Sequence, residues 1–307
     1  MNAVPASHAG WRSGRARVGA RVELAYDEIG EGAPLLLIMG IGAQRVLWDD
    51  RLCLRLAERG YRVIRFDHRD TGESSRLDHL PVPRPLPTLV RRTAGLAIDA
   101  PYDLSDMARD VVGLCDQLGV ERAHVVGCSM GGMIAQHLAI EHPTRVASLT
   151  SIMSAPGARR WFLLTRPRAL RALLARPPRD LEEGMEHIVR MFRALGGDHY
   201  DIDPERLRLV ARLSYERGHS PRGFLRQLAA ICASGDRTAA LARVRVPAAV
   251  IHGKDDPLIS VAAGRATARA IPGARLHVIP GMGHHLPPAL WDQVIGVIAA
   301  TTARARA

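Results

Sequence analysis

Short runs of valine, leucine and isoleucine recur along the chain, with polar or charged segments between them. Within each run the apolar positions are consecutive rather than alternating, which is typical of parallel strands that are covered on both faces. We interpret as such strands the segments 35–39, 61–66, 124–127, 147–153, 248–252 and 276–279. Two further runs, 16–18 and 21–26, flank Gly19-Ala20 near the N terminus and predict an antiparallel hairpin.

The segments between the strands carry apolar residues at helical spacing. Those at 48–59, 104–118 and 130–141 stop at a glycine or just before a proline, residues that commonly end helices. Strands and helices in alternation predict a doubly wound α/β fold whose sheet is mostly parallel.

Between about 156 and 245 this alternation stops. The stretch has helical patterns at 181–195, 204–216 and 223–233 and no convincing strand. A helical block between two strands is most simply a cap over the carboxyl ends of the strands, the edge at which open α/β sheets bind ligands.

The same pattern divides the chain into parts. We predict a basic flexible tail at 1–14, an α/β core formed by 15–155 and 246–307, and a helical cap insertion at 156–245. The proline-rich connection at 69–102 is expected to line the entrance to a site at the edge of the sheet.

One serine lies at a predicted junction of strand and helix, in the motif Gly127-x-Ser129-x-Gly131. Small residues on both sides of a serine allow the tight turn that lifts its hydroxyl clear of the sheet. A serine hydroxyl is a weak nucleophile at neutral pH, so it needs a neighbouring base, and the base needs an orienting acid. The motif therefore predicts Ser129 as the nucleophile of a serine hydrolase.

Two later strand ends carry the partners of this nucleophile, in the chain order nucleophile, acid, histidine. Two adjacent aspartates follow the strand at 248–252; we prefer Asp256 as the acid, and Asp255 stays an alternative. A glycine-rich loop follows the last strand and ends at His284, which we prefer to the neighbouring His285 as the base.

An ester hydrolase of this kind also needs two N–H donors for the oxyanion that forms during attack. The first is expected to be the backbone N–H of Met130, at the start of the helix after the serine, where the helix dipole favours negative charge. The second is expected in the loop Met39-Gly40-Ile41-Gly42, where glycines allow a close approach of the backbone, and we choose the Ile41 N–H. That loop lacks the third glycine and the acidic partner of a dinucleotide site, and no segment suggests a metal or an organic cofactor.

With these residues placed, the chain resembles the α/β-hydrolase fold enzymes, and within them it is similar to the aclacinomycin methylesterase group. These are serine esterases that act on the carboxylic methyl ester of anthracycline polyketides. The resemblance implies a Ser-His-Asp triad of Ser129, Asp256 and His284, with Met130 and Ile41 as oxyanion donors. The segments that carry it are LLLIMGIG (35–42), YRVIRFDHRDTGESS (61–75), GVERAHVVGCSMGGMIAQHLAIEHPTRVASLT (119–150) and IPGARLHVIPGMGHHLP (271–287).

The chain departs from the family pattern at two places. Met39 stands where many members carry the histidine of a His-Gly pair, and the cap at 156–245 has no convincing match. In the core, the loop Asp67-His68-Arg69-Asp70-Thr71-Gly72 matches one that the superfamily keeps for its shape.

Composition narrows the class of partner. The chain has 307 residues, 47% hydrophobic and 24% charged, and a formal net charge of +11, all but one of its 42 basic residues being arginine. Aromatic residues make up only 4%, and the chain has no aromatic-plus-basic module of the kind that single-stranded nucleic acid needs, so we expect no nucleic-acid partner. The apolar runs are too short to cross a membrane, which predicts no integral membrane association.

The first 20 residues contain no apolar stretch of the kind that signal peptides have, and the four cysteines show neither paired nor metal-ligand spacing. A cytoplasmic location is therefore expected. The oligomeric state stays unknown at this stage.

The leading interpretation is a carboxylic ester hydrolase that takes a small-molecule ester and works through an acyl-enzyme. The same triad also serves C–C bond hydrolases, lactonases, lysophospholipases, cofactor-free perhydrolases and acyltransferases, which stay open. Two further classes remain: a hydrolase-like ligand receptor with slow turnover, and a lipase that attaches to anionic membranes through the arginine-rich cap.

Overall fold

A computed structural model gives the structure of the protein and describes residues 10–197 and 199–305. One sheet contains all strands of the described residues. Their bounds are β1 (Arg12–Gly19), β2 (Val22–Ile29), β3 (Ala33–Ile38), β4 (Tyr61–Phe66), β5 (Ala123–Cys128), β6 (Val146–Ile152), β7 (Ala248–Gly253) and β8 (Arg275–Ile279). The spatial order is β1-β2-β4-β3-β5-β6-β7-β8.

The sheet is parallel from β4 to β8, and the antiparallel strands β1 and β2 form its first edge. This arrangement confirms the predicted fold class and the predicted N-terminal hairpin. The central strands β3 and β5 are parallel neighbours, so the loop after β3 begins beside the turn after β5.

The helices in the described residues follow the strands in alternation and then form a block between β6 and β7. Their bounds are α1 (Asp50–Ala57), α2 (Pro85–Ala94), α3 (Leu104–Gln117), α4 (Met130–Glu141), α5 (Arg159–Phe162), α6 (Pro167–Leu173), α7 (Leu181–Leu195), α8 (Pro204–Glu216), α9 (Pro221–Ala233), α10 (Thr238–Leu241), α11 (Val261–Ala270) and α12 (Trp291–Ala303). No helix among the described residues is both long and apolar enough to cross a bilayer.

Hydrophobic residues cover both faces of the sheet, as the consecutive apolar runs predict. Along β3, Leu36 and Ile38 belong to the core under α3 and α4, whereas Leu35 and Leu37 belong to the core under α1 and α12. Replacing one of these buried leucines by alanine is expected to cost about 2–5 kcal/mol of folding free energy. The central strands are therefore held in place from both sides, which makes their ends a rigid support for side chains.

The first strand begins earlier than the apolar pattern predicts. Its first residues are polar, and they form cross-strand pairs with β2: Arg12 with Glu28 at 2.9 Å and Ser13 with Asp27 at 2.8 Å. Positions 12–14, which we assigned to a flexible tail, are therefore part of β1, because an edge strand is held by such pairs rather than by burial. Residues 1–9 of that predicted tail lie outside the described residues.

The described residues between β6 and β7 are helical, with no strand among them. In this helical block α7 packs against α6 and α8, while α9 packs against α2. Helix α2 lies in the connection at 69–102, which the sequence pattern marked only as proline-rich. Its prolines occupy the first helical turn, where backbone N–H groups have no acceptor within the helix, so the N–H that proline lacks is not missed.

Candidate active site

Ser129 sits between β5 and α4 in a backbone conformation that few residues adopt. Its φ is 54° and its ψ is −119°, and its amide donates to the Ile152 carbonyl of β6 at 2.9 Å. A non-glycine residue in such a region costs about 1–3 kcal/mol and persists only where the surroundings hold it. The strain raises the side chain above the ends of the parallel strands.

The glycines of the motif are required because backbone fills the space that side chains would need. A Cβ on Gly127 would overlap the Gly131 carbonyl oxygen, and a Cβ on Gly131 would overlap the Ile38 carbonyl oxygen. The first contact closes the turn, and the second sets α4 against the end of β3. The strand-turn-helix that the motif predicts is therefore present.

His284 lies opposite Ser129, at the end of the glycine-rich loop after β8. Its Nε2 is 3.0 Å from the Ser129 Oγ, and its Nδ1 is 2.8 Å from Oδ2 of Asp256. A carboxylate only accepts, so Nδ1 carries the proton and Nε2 is left to accept from the serine hydroxyl. The structure thus brings together the three side chains that the sequence nominates.

Asp256 is buried, and both of its side-chain oxygens have partners. Oδ2 faces His284, and Oδ1 accepts from the amides of Leu258 and Ile259, both at 2.9 Å. Burial alone would raise the pKa of this carboxyl, but the adjacent His284 and His252 hold it well below its usual value. The carboxylate is therefore charged and fixed in direction.

Asp255, the alternative acid, points to a different partner. Its Oδ2 accepts from the Gly281 amide at 2.8 Å, and its own amide donates to the Met282 carbonyl at 3.1 Å. It ties the β7 end to the loop that carries His284 and does not contact the imidazole in the hydrogen bonds of the described residues.

The helical block reaches the same histidine loop. The His284 amide donates to the Leu195 carbonyl at the end of α7, at 2.7 Å. A Cβ on Gly197 would overlap the Gly281 carbonyl oxygen, so the two glycine-containing loops pack backbone to backbone. Nothing in the sequence pattern indicates this contact.

The loop at 39–42, which we call the oxyanion loop, lies beside the serine. A Cβ on Gly40 would come 3.3 Å from the Ser129 Cβ. Ile41 lines the same cavity as Ser129. On the other side, Met130 begins α4, and N–H groups in a first helical turn have no acceptor within the helix.

Two side chains that sequence analysis missed hold this loop at its ends. The His68 Nε2 donates to the Met39 carbonyl at 2.9 Å. The buried Gln227, on α9, accepts from the Gly42 amide at 2.8 Å and donates to the Arg69 carbonyl at 2.9 Å. His68 was signalled only as part of a shape-keeping loop, and Gln227 lies in the part of the chain without a convincing family match.

A cavity with two lobes opens at Ser129. The first lobe has a volume of about 210 Å³ and the second about 100 Å³, and Ile41, Ser129, Leu173 and Leu258 line both. The first lobe has a mostly apolar wall drawn from core and helical block, which includes Leu47, Trp48, Leu52, Met153, Phe192, Leu195, Leu207, Val210, Leu286 and Trp291. Side chains from α2, α5 and α9 line the second lobe, so the 69–102 connection contributes to the site as predicted.

His285 also lines the first lobe, but it forms no hydrogen bond with Ser129 or Asp256. It is buried, and neither of its ring nitrogens has a hydrogen-bond partner among the described residues. Burial and the neighbouring His284 lower the pKa of His285 to about 4, so the ring is neutral at pH 7. The structure places the preferred His284, and not His285, beside Ser129.

Comparison with known proteins adds the family. The model of the alpha/beta hydrolase fold family matches residues 33–287. The chain belongs to the α/β-hydrolase fold family. The protein is therefore an enzyme of the hydrolase class, in agreement with the resemblance and the enzyme class predicted from the sequence.

Two similar relatives of this α/β hydrolase are methylesterases. The rhodomycin D methylesterase DauP of Streptomyces sp. (strain C5) is 31% identical, over 92% of this chain and 95% of its own length. The rhodomycin D methylesterase DnrP of Streptomyces peucetius is also 31% identical, over 88% of this chain and 91% of its own. The solved enol-lactonase from Burkholderia xenovorans LB400 superposes with a TM-score of 0.68 at 22% identity, covering 95% of this chain and all of its own, and shows the fold alone.

Proposed function

We propose that this α/β hydrolase cleaves carboxylic esters through an acyl-enzyme, with Ser129, His284 and Asp256 as its triad. The observation that carries the proposal is the pair of contacts at His284, 3.0 Å to the serine oxygen and 2.8 Å to the aspartate. Methylesterases among the similar relatives support the ester class.

In the first half of the reaction the serine oxygen attacks the ester carbonyl while His284 Nε2 takes its proton. The carbonyl electron pair moves to oxygen, where the N–H groups of Met130 and Ile41 stabilise the negative charge. When the carbonyl re-forms, the bond to the alcohol oxygen breaks, and the imidazolium returns the proton to the leaving alcohol. Asp256 holds the imidazole tautomer and stabilises its charged form.

In the second half a water molecule replaces the alcohol. His284 takes a proton from the water as it attacks the acyl carbon, and then returns a proton to Ser129 as the serine leaves. The products are a carboxylic acid and an alcohol, and no other reactant is consumed.

We further propose that the substrates are methyl esters of large aromatic or polyketide-like acids. The first lobe offers the indole rings of Trp48 and Trp291 and the ring of Phe192, among aliphatic residues. Such a wall suits flat apolar ring systems, since aromatic groups bury a large area and stack on one another. The helical block at 156–245 then acts as the cap that closes this lobe.

The test is an ester panel with the full chain, read as acid release by chromatography. The panel contains methyl acetate, methyl 2-naphthoate and methyl anthracene-2-carboxylate, together with an aromatic lactone and an aromatic β-diketone. We expect kcat/KM to rise at least about 10²-fold from the smallest to the largest methyl ester, because burying ~150 Å² more apolar surface contributes about 4 kcal/mol.

Two variants accompany the panel. Ser129→Ala is expected to abolish turnover, whereas Cys128→Ser is expected to keep it, because burial raises the pKa of the neighbouring thiol and keeps it uncharged. Ester hydrolysis that survives in Ser129→Ala contradicts the proposal. So does a protein that releases one equivalent of product and stops, or one that cleaves the diketone but none of the esters.

A further inference from the structure

Most buried arginines of this protein are neutralised by carboxylates. Arg226, fully buried on α9, is 2.6 Å from the Asp70 carboxylate, and the buried Arg45 is 2.9 Å from that of Asp27. This is the usual arrangement, because an unpaired charge away from water is costly.

The second lobe breaks this pattern. Two arginines, Arg92 of α2 and Arg237 just before α10, line it among residues that are otherwise uncharged. No aspartate or glutamate occurs among the described residues of its wall. Neither arginine forms a salt bridge within residues 10–197 and 199–305; Asp236 and Glu141 act on Arg237 only at longer range. Ser129 lines the same lobe.

Arg237 is only 4% exposed and keeps part of its hydrogen-bonding capacity unused. Its Nε donates to the Gln136 side-chain oxygen at 3.1 Å and its Nη2 to the Ala155 carbonyl at 3.0 Å, both neutral acceptors. The described residues provide no acceptor for its Nη1. Burial lowers the pKa of the guanidinium to about 10, so it remains a charged group at pH 7.

Arg92 and Arg237 both lie next to the backbone of Gly157. Arg92 is half-buried, and its Nη2 donates to the Gly157 carbonyl. A Cβ on Gly157 would come 3.0 Å from the Arg237 Nη1, so both guanidinium groups border this glycine. Two like charges at one wall of a cavity, with no carboxylate among the residues that line it, are arranged for an anion.

We propose that the second lobe is an anion subsite, where Arg92 and Arg237 bind a carboxylate that the ester substrate carries away from its scissile bond. The inference rests on the proposed function in that Ser129 joins the two lobes. It adds a substrate class, namely esters whose acid part carries a second, free carboxylate, such as half-esters of dicarboxylic acids. These are preferred to neutral esters of the same length.

The experiment measures binding apart from turnover. The full-length Ser129→Ala variant is titrated by calorimetry with the monomethyl esters of succinic, glutaric, adipic, pimelic and suberic acids, and with the neutral methyl alkanoate of matching length. We expect one chain length to bind at least 10-fold more tightly than its neutral match. In wild-type protein, kcat/KM for the same half-ester is expected to exceed that of the neutral ester by a similar factor.

Arginine variants in the Ser129→Ala background assign the effect. Arg92→Gln is expected to remove most of the preference for the half-ester over its neutral match. Arg237→Lys retains the charge but not the guanidinium geometry, and is expected to weaken half-ester binding several-fold. Arg91→Gln is the matched control, because Arg91 is an exposed neighbour on α2 that donates to the Ala97 carbonyl and does not line the lobe.

The subsite and the proposed function fail in different ways. Half-esters that bind no more tightly than neutral esters at every length overturn the subsite, as does a preference that survives both Arg92→Gln and Arg237→Lys. If wild-type protein hydrolyses no ester while Ser129→Ala still prefers half-esters, the subsite stands and the proposed function is wrong.

Discussion

Two adjacent aspartates follow β7, and their contacts divide two tasks between them. Asp256 accepts from His284, whereas Asp255 accepts from the Gly281 amide in the loop before that histidine. Since the residue types are the same, the direction of each side chain decides its role.

Exchange of each aspartate for asparagine tests this division. Asp256→Asn is expected to lower kcat by about 10³- to 10⁴-fold, because an amide at this position no longer fixes the tautomer or balances the imidazolium. Asp255→Asn is expected to lower it less than about 10-fold, because only the position of the histidine loop is affected. Steady-state kinetics on one ester decides between them, and equal losses in the two variants contradict the assignment.

We propose Gln227 as a positioning residue, since its side-chain oxygen accepts from the Gly42 amide in the oxyanion loop. Gln227→Leu is expected to lower kcat about 10-fold or more at nearly constant KM, a fraction of the 10²- to 10³-fold loss typical of a whole oxyanion donor. Gln117→Leu, an exposed glutamine on α3, is the control. A loss confined to KM, or a loss that follows the melting temperature alone, contradicts this role.

His285 makes folding stability depend on pH. Its pKa is about 4 in the folded protein and about 6.5 when unfolded, so the unfolded state binds the proton more tightly. The stability that comes from the neutral ring is present above pH 6.5 and is lost as the pH falls toward 4. The difference in melting temperature, His285→Phe minus wild type, is therefore expected to increase as the pH falls from 7.5 to 4.5. Exposed His79→Gln is the control; a difference independent of pH in His285→Phe contradicts the account.

At the scale of elements, close backbone contacts hold the turn between β5 and α4 and so fix the position of Ser129, the proposed nucleophile. The approach of α4 to the end of β3 requires that position 131 has no side chain, because the Ile38 carbonyl occupies the space of a Cβ. The same contact sets the oxyanion loop relative to Ser129.

Two glycine-to-alanine exchanges separate this contact from general helix effects. Gly131→Ala is expected to lower kcat by at least about 10²-fold and to lower the melting temperature, because backbone has to move. Gly296→Ala lies on the open face of α12, where a Cβ meets nothing within 4 Å. It is expected to stabilise the protein by about 0.5–1 kcal/mol with unchanged activity. Equal effects of the two exchanges on activity contradict the role given to the turn.

For the whole molecule, the sequence predicts the core well because its signals are local. Consecutive apolar runs mark strands that are buried on both faces, and Gly127-x-Ser129-x-Gly131 marks the strained turn. Chain order then leads to Asp256 and His284. The polar first residues of β1 and the proline-containing α2 escape prediction. Cross-strand pairs stabilise the former and packing against α9 the latter, rather than any pattern of their own.

The rest of the site depends on contacts between residues far apart in the chain. The Gln227 contact with Gly42, the Leu195 contact with His284 and the meeting of Arg92 with Arg237 each join the helical block to another segment. No local pattern encodes such pairs, so sequence analysis finds the residues of the proposed triad but not what surrounds them. The two lobes, and the pair of arginines in the second, emerge only from the folded chain.

The most direct test of the central claim is the mass of the acyl-enzyme. The protein is mixed with a p-nitrophenyl ester, quenched in acid within milliseconds and digested. The masses of the peptides are then measured by mass spectrometry. The account predicts a burst of p-nitrophenol and one acyl group on the peptide that contains Ser129, with neither in Ser129→Ala. Steady turnover with no adduct on that serine, or with an adduct on another residue, contradicts it.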